Sequence, residues 1–473
     1  MIYKSYSPLL WLILAIGSLA NISVVQATKP VFESEPESEP EHEPDQAAAL
    51  WWQFRGPNAG HMSDRRLPLQ WGGFLQDPAW QTTIPGKGWS SPIVVRNRIW
   101  LTSAEQVALD AESVTDRLAQ RPYGFSDFEA HAAVVLFALE LDANSGKILR
   151  RIDLFEHRDP VPIHSMNSYA SPTPVTDGQR LYCHFGALGT ACVDIATGQV
   201  LWKREFKLEE ITGGGASPIL WQESLILACD GADQQYIVAL NKLDGTTQWQ
   251  VGRPEIEVVD PSKRRSYSTP IVVQSHGRTQ LISMAAQWLI SYDPNDGRQW
   301  WQAKVGTGFA SVPTPIVDRE RVIVCTGFNT PEMVAVRMDG NGDVTDSAIA
   351  WRYARQVPEI SSPILVGKEI YFCSSKGIAT CLDAESGSLQ WQHRIGGNFA
   401  ASPTYVAGRI YMTNNQGVTT VIQPAREYTL LATNELFGES YASLATFDGN
   451  FLLRTSNTLF SLGSNPLSLG TNP

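Results

Sequence analysis

The sequence lacks several short motifs on which common chemistry depends. It has no CxxC pair and no Cys/His spacing of the kind that holds structural zinc. The glycine run 213–215 opens a strand-like stretch rather than a helix, so it is not a phosphate-binding loop. No Ser/His/Asp order typical of hydrolases is discernible. We therefore expect no metal site and no nucleotide-phosphate loop.

An excess of positive charge is also missing. The chain has 48 Asp and Glu against 37 Lys and Arg, a formal net charge of −11. Part of the imbalance lies in residues 32–46, which contain seven acids and no Lys or Arg. Without a basic surface there is little to attract a phosphate backbone, so a nucleic-acid partner is not expected. The Glu/Pro-rich composition predicts a disordered linker over residues 28–50.

The N-terminus has the pattern of a secretory signal. Residues 9–20 are apolar but too few for a comfortable membrane span, and Lys4 precedes them. Small residues at Ala20 and Ala27 offer cleavage sites, and we predict a signal peptide over 1–27, with an uncleaved anchor as the alternative. No Cys lies near this boundary to carry a lipid. We expect a periplasmic or secreted protein with no membrane span after cleavage.

Six cysteines are spread through the rest of the chain. Export permits disulfides, and the pairs Cys183/Cys192 and Cys373/Cys381 each flank a predicted hairpin turn, where they can bridge. Most of the six also lie in apolar strand patterns, where buried free thiols are common. The sequence leaves these two alternatives open.

A motif of small residues followed by proline recurs through the chain. This anchor motif occurs seven times with Pro and once, degenerate, with Leu: Ser90–Pro92, Ala170–Pro172, Ala216–Pro218, Ser268–Pro270, Ser311–Pro313, Ser361–Pro363, Ala401–Pro403 and Ala442–Leu444. Each is followed by three short apolar runs. In five repeats the third run ends in a turn with Asp or Asn four residues before Gly, and a fourth run usually carries a Trp four residues later. Such repeats of 40 to 50 residues are typical of propellers.

The eight repeats predict an all-β chain that forms a single eight-bladed β-propeller of four-stranded antiparallel blades over residues 79–463. The eighth repeat ends without a fourth strand, whereas residues 79–84 resemble one. We therefore expect an N-terminal strand to complete the last blade and close the ring. Residues 104–131 interrupt the first blade as an insertion, either functional or a lid packed on the rim. Residues 51–78 are expected to pack on the propeller, and 464–473 to form a disordered tail.

The anchor motif, the Asp-x-x-x-Gly turn and the trailing Trp resemble the repeat of pyrroloquinoline quinone (PQQ) type, BamB-like propellers. The resemblance covers residues 79–463. The stretches Trp51–Gly60, Pro85–Pro92 and Gly342–Asp346 are similar to those of exported PQQ-like propellers of planctomycete-type bacteria. The wider family includes quinoprotein alcohol dehydrogenases and outer-membrane assembly proteins, so the resemblance implies the fold and two quite different functions.

A quinoprotein dehydrogenase implies calcium between the cofactor and protein carboxylates, a carboxylate base, and in many members two adjacent cysteines. This sequence has no adjacent Cys pair. The loop Asp339–Asp346 has Val344 and Ala350 where a calcium-binding EF-hand needs Gly and Glu, which favours a turn at the edge of a blade. No cofactor is therefore expected, and PQQ with calcium is the alternative.

Residues just before each anchor motif are predicted to face one mouth of the central channel. Aromatic residues recur there, with polar groups beside them. The candidate ligand site comprises Lys87, Trp89, His164, Asn167, Tyr169, Arg265, Tyr267, Phe309, Glu359, Asn398, Phe399 and Tyr441. Converging aromatic and polar groups are typical of a ligand site, although packing of the inner strands also explains them.

The sequence favours a non-catalytic binding or assembly scaffold of the periplasm or cell envelope over an enzyme. The expected partner is an envelope protein or a small polar ligand, and the expected state is a monomer. The alternative is a PQQ-dependent dehydrogenase-like or carbohydrate-active enzyme with its site at the channel mouth. No catalytic residue can be assigned for that alternative.

Overall fold

The structure, a computed structural model, describes residues 49–62, 64–72, 78–121 and 127–463. Every described residue belongs to one unit of the chain, Glu43–Pro473. The predicted signal peptide, residues 28–48 of the predicted linker and the predicted tail lie outside the described residues. The first described residues form a short strand, Ala49–Trp51. Within the described residues, no helix is long and apolar enough to cross a membrane.

The described chain folds into eight four-stranded antiparallel sheets arranged in a ring. The prediction of an eight-bladed β-propeller is thereby confirmed. We number the blades 1 to 8 in the order of their anchor motifs. The strands of blades 1 and 2 are Ile93–Val95, Arg98–Ala108, His131–Asp142 and Ile148–Arg158, then Val175–Thr176, Arg180–His184, Thr190–Asp194 and Val200–Arg204.

Blades 3 to 5 repeat this up-and-down order. Their strands are Ile219–Trp221, Ser224–Asp230, Gln235–Asn241 and Thr247–Gly252; Ile271–Ser275, Arg278–Met284, Trp288–Tyr292 and Gln299–Lys304; and Ile316–Asp318, Arg321–Cys325, Met333–Arg337 and Ile349–Tyr353.

Blades 6 to 8 complete the ring. Their strands are Ile364–Val366, Glu369–Cys373, Ile378–Asp383 and Leu389–Arg394; Thr404–Val406, Arg409–Thr413, Val418–Ile422 and Leu430–Glu435; and Ala445–Phe447, Asn450–Arg454, Thr458–Leu462 and, from the other end of the chain, Trp80–Thr83.

The closing strand Trp80–Thr83 pairs antiparallel with Thr458–Leu462, so that Trp80 lies opposite Ser461. This is the predicted completion of the last blade by an N-terminal strand. The pairing removes the free edge that blade 8 would otherwise expose, since only three of its strands come from the C-terminal end of the chain.

The inner strands of the blades are buried on both faces. The second strands of blades 2, 5, 6, 7 and 8 each have four fully buried residues in a row, whereas the fourth strands mostly alternate between buried and exposed positions. A strand covered on both faces reads as a continuous apolar run, which explains the three apolar runs of each repeat. The first strands of several neighbouring blades contact one another and therefore lie nearest the axis.

Each turn with Asp or Asn four residues before Gly packs against the preceding blade. Trp202 of blade 2 donates from Nε1 to the carbonyl of Lys242 in blade 3 at 3.1 Å. A Cβ on Gly245, which has φ +74°, would lie 2.7 Å from the Trp202 ring. The turn therefore needs glycine for its backbone conformation and for the close approach of the indole.

The same contact recurs around the ring with Trp80, Trp249 and Trp351, each donating to a carbonyl of the next blade. Blade 1 has Arg150 instead of Trp, and its guanidinium donates to the carbonyls of Ile195 and Ala196 in blade 2. These contacts give the tryptophans a structural role between neighbouring sheets.

Four further segments lie outside the regular blades. Ala49–Trp51 extends blade 1 beside Val94, and His61–Met62 runs parallel to Thr404–Val406 of blade 7. Gly342–Asp343, within the sequence that resembled a calcium loop, adds to the outer edge of blade 4 beside Trp301. A short 3-10 helix covers Pro261–Lys263.

The insertion of blade 1 is partly regular. Ala104–Ala108 continues the second strand, and the helix Ala111–Ala119 follows, with Asp110 as its N-cap. Phe128–Glu129 then pairs with Ile163–His164, which lies in the connection between blades 1 and 2. The insertion therefore packs beside the end of the axis where the anchor motifs lie.

All six cysteines are free and buried in the structure. Cys183 and Cys192 lie on adjacent strands but pair with Ala191 and Tyr182, respectively. Of the two alternatives left open by the sequence, the structure has the free thiols. Burial raises the pKa of all six thiols, so they are held in the neutral form.

Candidate functional site

A cavity of about 380 Å³ lies on the propeller axis, at the end where the anchor motifs begin. Its wall comes from the connections that enter the blades and from the residues just before the anchor motifs. Seven of the predicted site residues line it: Trp89, His164, Asn167, Arg265, Tyr267, Phe309 and Tyr441. The repeat brings the residues that precede each anchor motif to the same end of the axis, which is why residues far apart in sequence converge here.

Aromatic rings form much of the wall. The rings of Trp89 and Tyr441, from blades 1 and 8, have centroids 4.5 Å apart. Phe309 forms a β-bridge with Phe328, and both line the cavity. Trp89 is 6 % exposed, and its Nε1 has no hydrogen-bond partner among the described residues. This nitrogen is itself buried, so the part of Trp89 that a ligand could contact is its apolar ring surface.

Several polar groups of the wall lie in the connections that enter blades 2 to 4. The amide of Asn167 donates to the carbonyls of Thr212 and Gly214 at 2.8 and 3.2 Å. The hydroxyls of Thr212 and Tyr267 are 2.5 Å apart. Arg265 is buried and is the single Lys or Arg of the lining, which includes no Asp or Glu. The described lining is therefore electropositive.

His164 is positioned by the insertion. Its backbone pairs with Phe128, and the two rings lie edge to face with centroids 5.1 Å apart. Burial is the main cause that lowers the pKa of His164; the Asp127 carboxylate opposes it, and Arg265 and Arg121 add smaller lowering effects. A neutral imidazole at neutral pH follows from this environment.

The other five predicted residues lie outside the cavity lining. Lys87 contacts Glu129 of the insertion, with Nζ 3.3 Å from Oε1. Tyr169 is buried and donates to the carbonyl of Val161. Glu359 accepts from Ser375, the Asn398 carbonyl accepts from Asn415, and Phe399 is in the core between blades 6 and 7.

Sequence reasoning missed the floor of the cavity. Phe54, from the segment Trp51–Gly60, lines it. That segment crosses the axis: Trp51 pairs with blade 1, the Trp52 carbonyl accepts from Thr176 of blade 2, and Arg55 reaches the carbonyl of Pro363 in blade 6 at 3.0 Å. The composition of the segment gave no sign that it would enter the channel.

A ring of hydroxyl groups was also missed. In seven steps around the axis, a backbone N–H donates to the Ser or Thr hydroxyl of the next blade. The N–H groups of Ser443, Ser91, Thr173, Ser217, Thr314, Ser362 and Ser402 donate to Ser91, Thr173, Ser217, Thr269, Ser362, Ser402 and Ser443, respectively, at 2.9–3.1 Å. We call the seven accepting side chains the hydroxyl ring.

All seven side chains of the hydroxyl ring line the cavity. The equivalent position of blade 5 is Thr314, whose N–H donates to Ser362 but whose Oγ1 accepts no hydrogen bond among the described residues. In blades 2 and 5 the ring position, Thr173 or Thr314, comes directly after the predicted anchor motif, and in the other six blades it lies within the motif. The sequence did not reveal that these side chains link neighbouring blades.

The donor set does not fit calcium with PQQ. Calcium takes six to eight oxygen ligands, many of them carboxylates, and the described lining supplies none from Asp or Glu. Within the described ranges, no three His, Cys, Asp or Glu residues are grouped so that they could hold a metal ion. The hydroxyls of the ring have one lone pair already occupied by a backbone N–H.

The fold and the cavity define a propeller of a known repeat type. The family model described as outer membrane protein assembly factor BamB matches residues 138–345 and 233–462. These two overlapping matches span more than half of the chain, and the chain therefore belongs to the PQQ-type, BamB-like propeller family.

Two solved structures are among those similar to this chain. The quinohemoprotein alcohol dehydrogenase from Comamonas testosteroni has 11 % identity and a TM-score of 0.52, with 81 % of this chain and 76 % of that chain covered. BamB from Moraxella catarrhalis has 13 % identity and a TM-score of 0.48, with 76 % and 97 % covered. A comparison with curated proteins found no match to this chain.

Proposed function

We propose that this protein is a non-catalytic binding scaffold of the cell envelope and that the axial cavity is its ligand site. The observation that carries the proposal is the cavity itself, which joins aromatic walls to a few fixed polar groups. Such concave, mainly apolar sites with convergent polar groups are the usual form of small-molecule sites.

The envelope location is supported by two observations. The predicted signal peptide over residues 1–27 would direct the chain out of the cytoplasm. The matching family model is described as an outer membrane protein assembly factor. Fractionation of cells that express the full chain, with mass analysis of the mature N-terminus, tests this part. Recovery of an uncleaved chain from the cytoplasm would contradict it.

Binding in the cavity is testable with a neutral solvatochromic dye. We expect the dye to bind the wild type and to lose at least tenfold in affinity in Val312→Phe, because the added ring fills part of the lined volume. Val107→Phe is the matched control, since Val107 is 51 % exposed on the insertion and outside the lining. Equal dye binding by wild type and Val312→Phe would overturn the proposal.

The proposal that the scaffold is non-catalytic has a separate test. Protein incubated with micromolar PQQ and calcium is assayed for dye-linked oxidation of primary alcohols. We expect no turnover above a protein-free blank, because the described lining has no carboxylate to act as the base. Turnover that is lost in Val312→Phe and retained in Val107→Phe would establish the dehydrogenase alternative instead.

A further inference from the structure

We propose that the axial cavity binds a flat, uncharged aromatic compound with a hydrogen-bond acceptor at one edge, and that this acceptor bonds to the Nε2–H of His164. The inference rests on the proposed function, because it assigns a ligand class to the same cavity. It follows from the way in which aromatic, apolar and polar lining residues are distributed around the axis.

The order of the blades around the axis can be followed along the hydroxyl ring. Its hydrogen bonds join consecutively numbered blades, including blade 8 to blade 1. In a ring of eight blades, each blade therefore lies opposite the blade numbered four higher or four lower. Residues that enter blades 1 and 8 face those of blades 4 and 5 across the cavity, and residues that enter blades 2 and 3 face those of blades 6 and 7.

Aromatic rings form two walls on opposite sides of the cavity. Trp89 and Tyr441 precede the anchor motifs of blades 1 and 8, and their ring centroids are 4.5 Å apart. Tyr267 and Phe309 precede those of blades 4 and 5, and Phe328 comes from a loop of blade 5. Aromatic groups pack well against other aromatic groups in offset-stacked or edge-to-face arrangements. Two facing aromatic walls therefore favour a flat ring system between them.

The other two sides of the cavity differ in polarity. Apart from the hydroxyl ring, the side of blades 6 and 7 is formed by Ile360 and Ala400. The opposite side, of blades 2 and 3, is formed by His164, Asn167 and Thr212. A flat ligand between the aromatic walls thus has one edge against aliphatic groups and the other edge against polar groups.

Most polar atoms of that side are already bonded within the protein. The Asn167 amide donates to two backbone carbonyls, and its Oδ1 accepts from the Ser168 N–H and the Ser171 hydroxyl. The hydroxyls of Thr212 and Tyr267 bond to each other. These groups hold the side in place and leave His164 as the candidate contact for a ligand.

His164 has a hydrogen-bond donor available. Its Nδ1 accepts the backbone N–H of Met166 at 3.2 Å, and its Nε2 has no hydrogen-bond partner among the described residues. Burial lowers the pKa of His164, so the imidazole is neutral at neutral pH. A neutral imidazole that accepts at Nδ1 carries its single proton on Nε2. An acceptor at the edge of the ligand would satisfy this donor.

The lining offers no counter-ion to a charged ligand. It includes no Asp or Glu among the described residues, and its single Lys or Arg, Arg265, is already engaged in an interaction within the protein. Transfer of an unpaired charge into a mainly apolar cavity is strongly unfavourable. A cavity of about 150 Å³ holds benzene, so the volume of about 380 Å³ has room for two fused rings with a small substituent.

The acceptor is tested with 2-acetylnaphthalene and 2-ethylnaphthalene, which differ in the carbonyl group. Their affinities are measured by displacement of the neutral dye at pH 7.5. We expect the ratio of the two affinities to fall at least about threefold from wild type to His164→Phe, the effect of one hydrogen bond. Comparing ratios between variants removes the difference in hydrophobicity between the two compounds. His276→Phe is the matched control, since His276 lies in an exposed turn of blade 4, and it is expected to keep the wild-type ratio.

A second variant separates the hydrogen bond from the shape of the side chain. His164→Gln keeps a side-chain N–H donor, and its ratio is expected to fall by less than about twofold. Equal falls in His164→Phe and His164→Gln would show that shape sets the ratio. That result, or an unchanged ratio in His164→Phe, would overturn the assignment of the acceptor.

The aromatic walls are tested with 2-acetyldecalin, the saturated and non-planar analogue of 2-acetylnaphthalene. We expect the preference for the aromatic compound to fall at least about threefold in Phe309→Leu/Phe328→Leu, because aromatic pairs contribute beyond the area that they bury. Phe437→Leu is the matched control, since Phe437 is 99 % exposed and outside the lining. An unchanged preference in the double variant would overturn the assignment to a flat aromatic ligand.

The remaining outcomes are also decisive. Tighter binding of 2-naphthoate than of 2-acetylnaphthalene by the wild type would show that the ligand is charged and would overturn the inference. If the dye binds but 2-acetylnaphthalene does not displace it, the ligand class is wrong and the cavity remains a ligand site. Failure of the dye itself to bind would reject the proposed function.

Discussion

The turn glycines illustrate how much a single Cβ matters in this fold. Gly245 and Gly277 both have positive φ, at +74° and +68°. A Cβ on Gly245 would meet the Trp202 ring at 2.7 Å, whereas a Cβ on Gly277 would meet no atom within 4 Å. The two positions therefore separate backbone strain from the packing between blades.

We predict that Gly245→Ala lowers the free energy of unfolding by about 2 kcal/mol more than Gly277→Ala, because only the former adds overpacking to the strain of a left-handed alanine. Chemical denaturation of the two variants measures the difference. Equal losses would show that the contact between turn and tryptophan is easily accommodated.

The protonation of Glu210 depends strongly on its surroundings. Its Oε2 accepts from the Ala187 N–H at 2.8 Å, and burial raises its pKa to about 7 in spite of that bond. It lies close enough to Tyr267 and Cys229 to raise the pKa of both groups. The folded protein thus binds the Glu210 proton more tightly than the unfolded chain does.

The stabilisation from this proton is complete below the unfolded pKa of Glu and is lost as the pH rises towards 7. We predict that the free energy of unfolding of the wild type, relative to Glu210→Gln, falls by roughly 2 kcal/mol between pH 4.5 and pH 7.5, less than a full shift would give because the side chain is only partly buried. A difference that is constant with pH would contradict the prediction.

At the scale of the element, the closing strand Trp80–Thr83 can be separated from the segment before it. A chain that begins at residue 78 retains this strand, whereas a chain that begins at residue 85 lacks it. We predict a drop in melting temperature of more than about 10 °C in the shorter chain relative to the longer one, because blade 8 then exposes an open edge and loses the Trp80 contact with blade 1.

A synthetic peptide of residues 78–85 is expected to restore part of the lost stability. Thermal unfolding with and without the peptide measures the effect. Equal melting temperatures for the two truncated chains would mean that the closing strand contributes little.

The elements also show what the sequence could and could not reveal. Strand positions could be predicted from apolar runs, because inner strands covered on both faces have a continuous apolar sequence. The eighth repeat lacks the Trp of a fourth strand, and this absence pointed to Trp80 as the missing residue. The path of Trp51–Gly60 across the axis could not be foreseen. It depends on contacts with residues far away in sequence, such as Pro363 and Thr176. Seven of the twelve predicted site residues reach the cavity because the repeat fixes their register. Phe399 lies one residue further from its Pro403 than Trp89 does from Pro92, and it packs in the core between blades instead.

At the scale of the whole molecule, the cysteines provide a simple test of integrity. All six are free and buried. We predict that no thiol reacts rapidly with Ellman's reagent in the native protein and that all six react in denaturant, because buried thiols remain protonated and inaccessible. A reducing agent should leave the melting temperature unchanged. Fewer than six reactive thiols in denaturant, restored by reduction, would indicate a disulfide.

The closing strand has a consequence for the order of events during biosynthesis. Trp80–Thr83 is made early, but its partner Thr458–Leu462 lies at the far end of the chain. Such a distant pairing forms slowly and late. Until the last blade emerges, the nascent ring must stay open, with one strand unpaired at its start and one sheet incomplete at its end. Synthesis that stops before residue 458 would therefore yield an arc rather than a shortened propeller, and such an arc would be a natural substrate for chaperones and proteases.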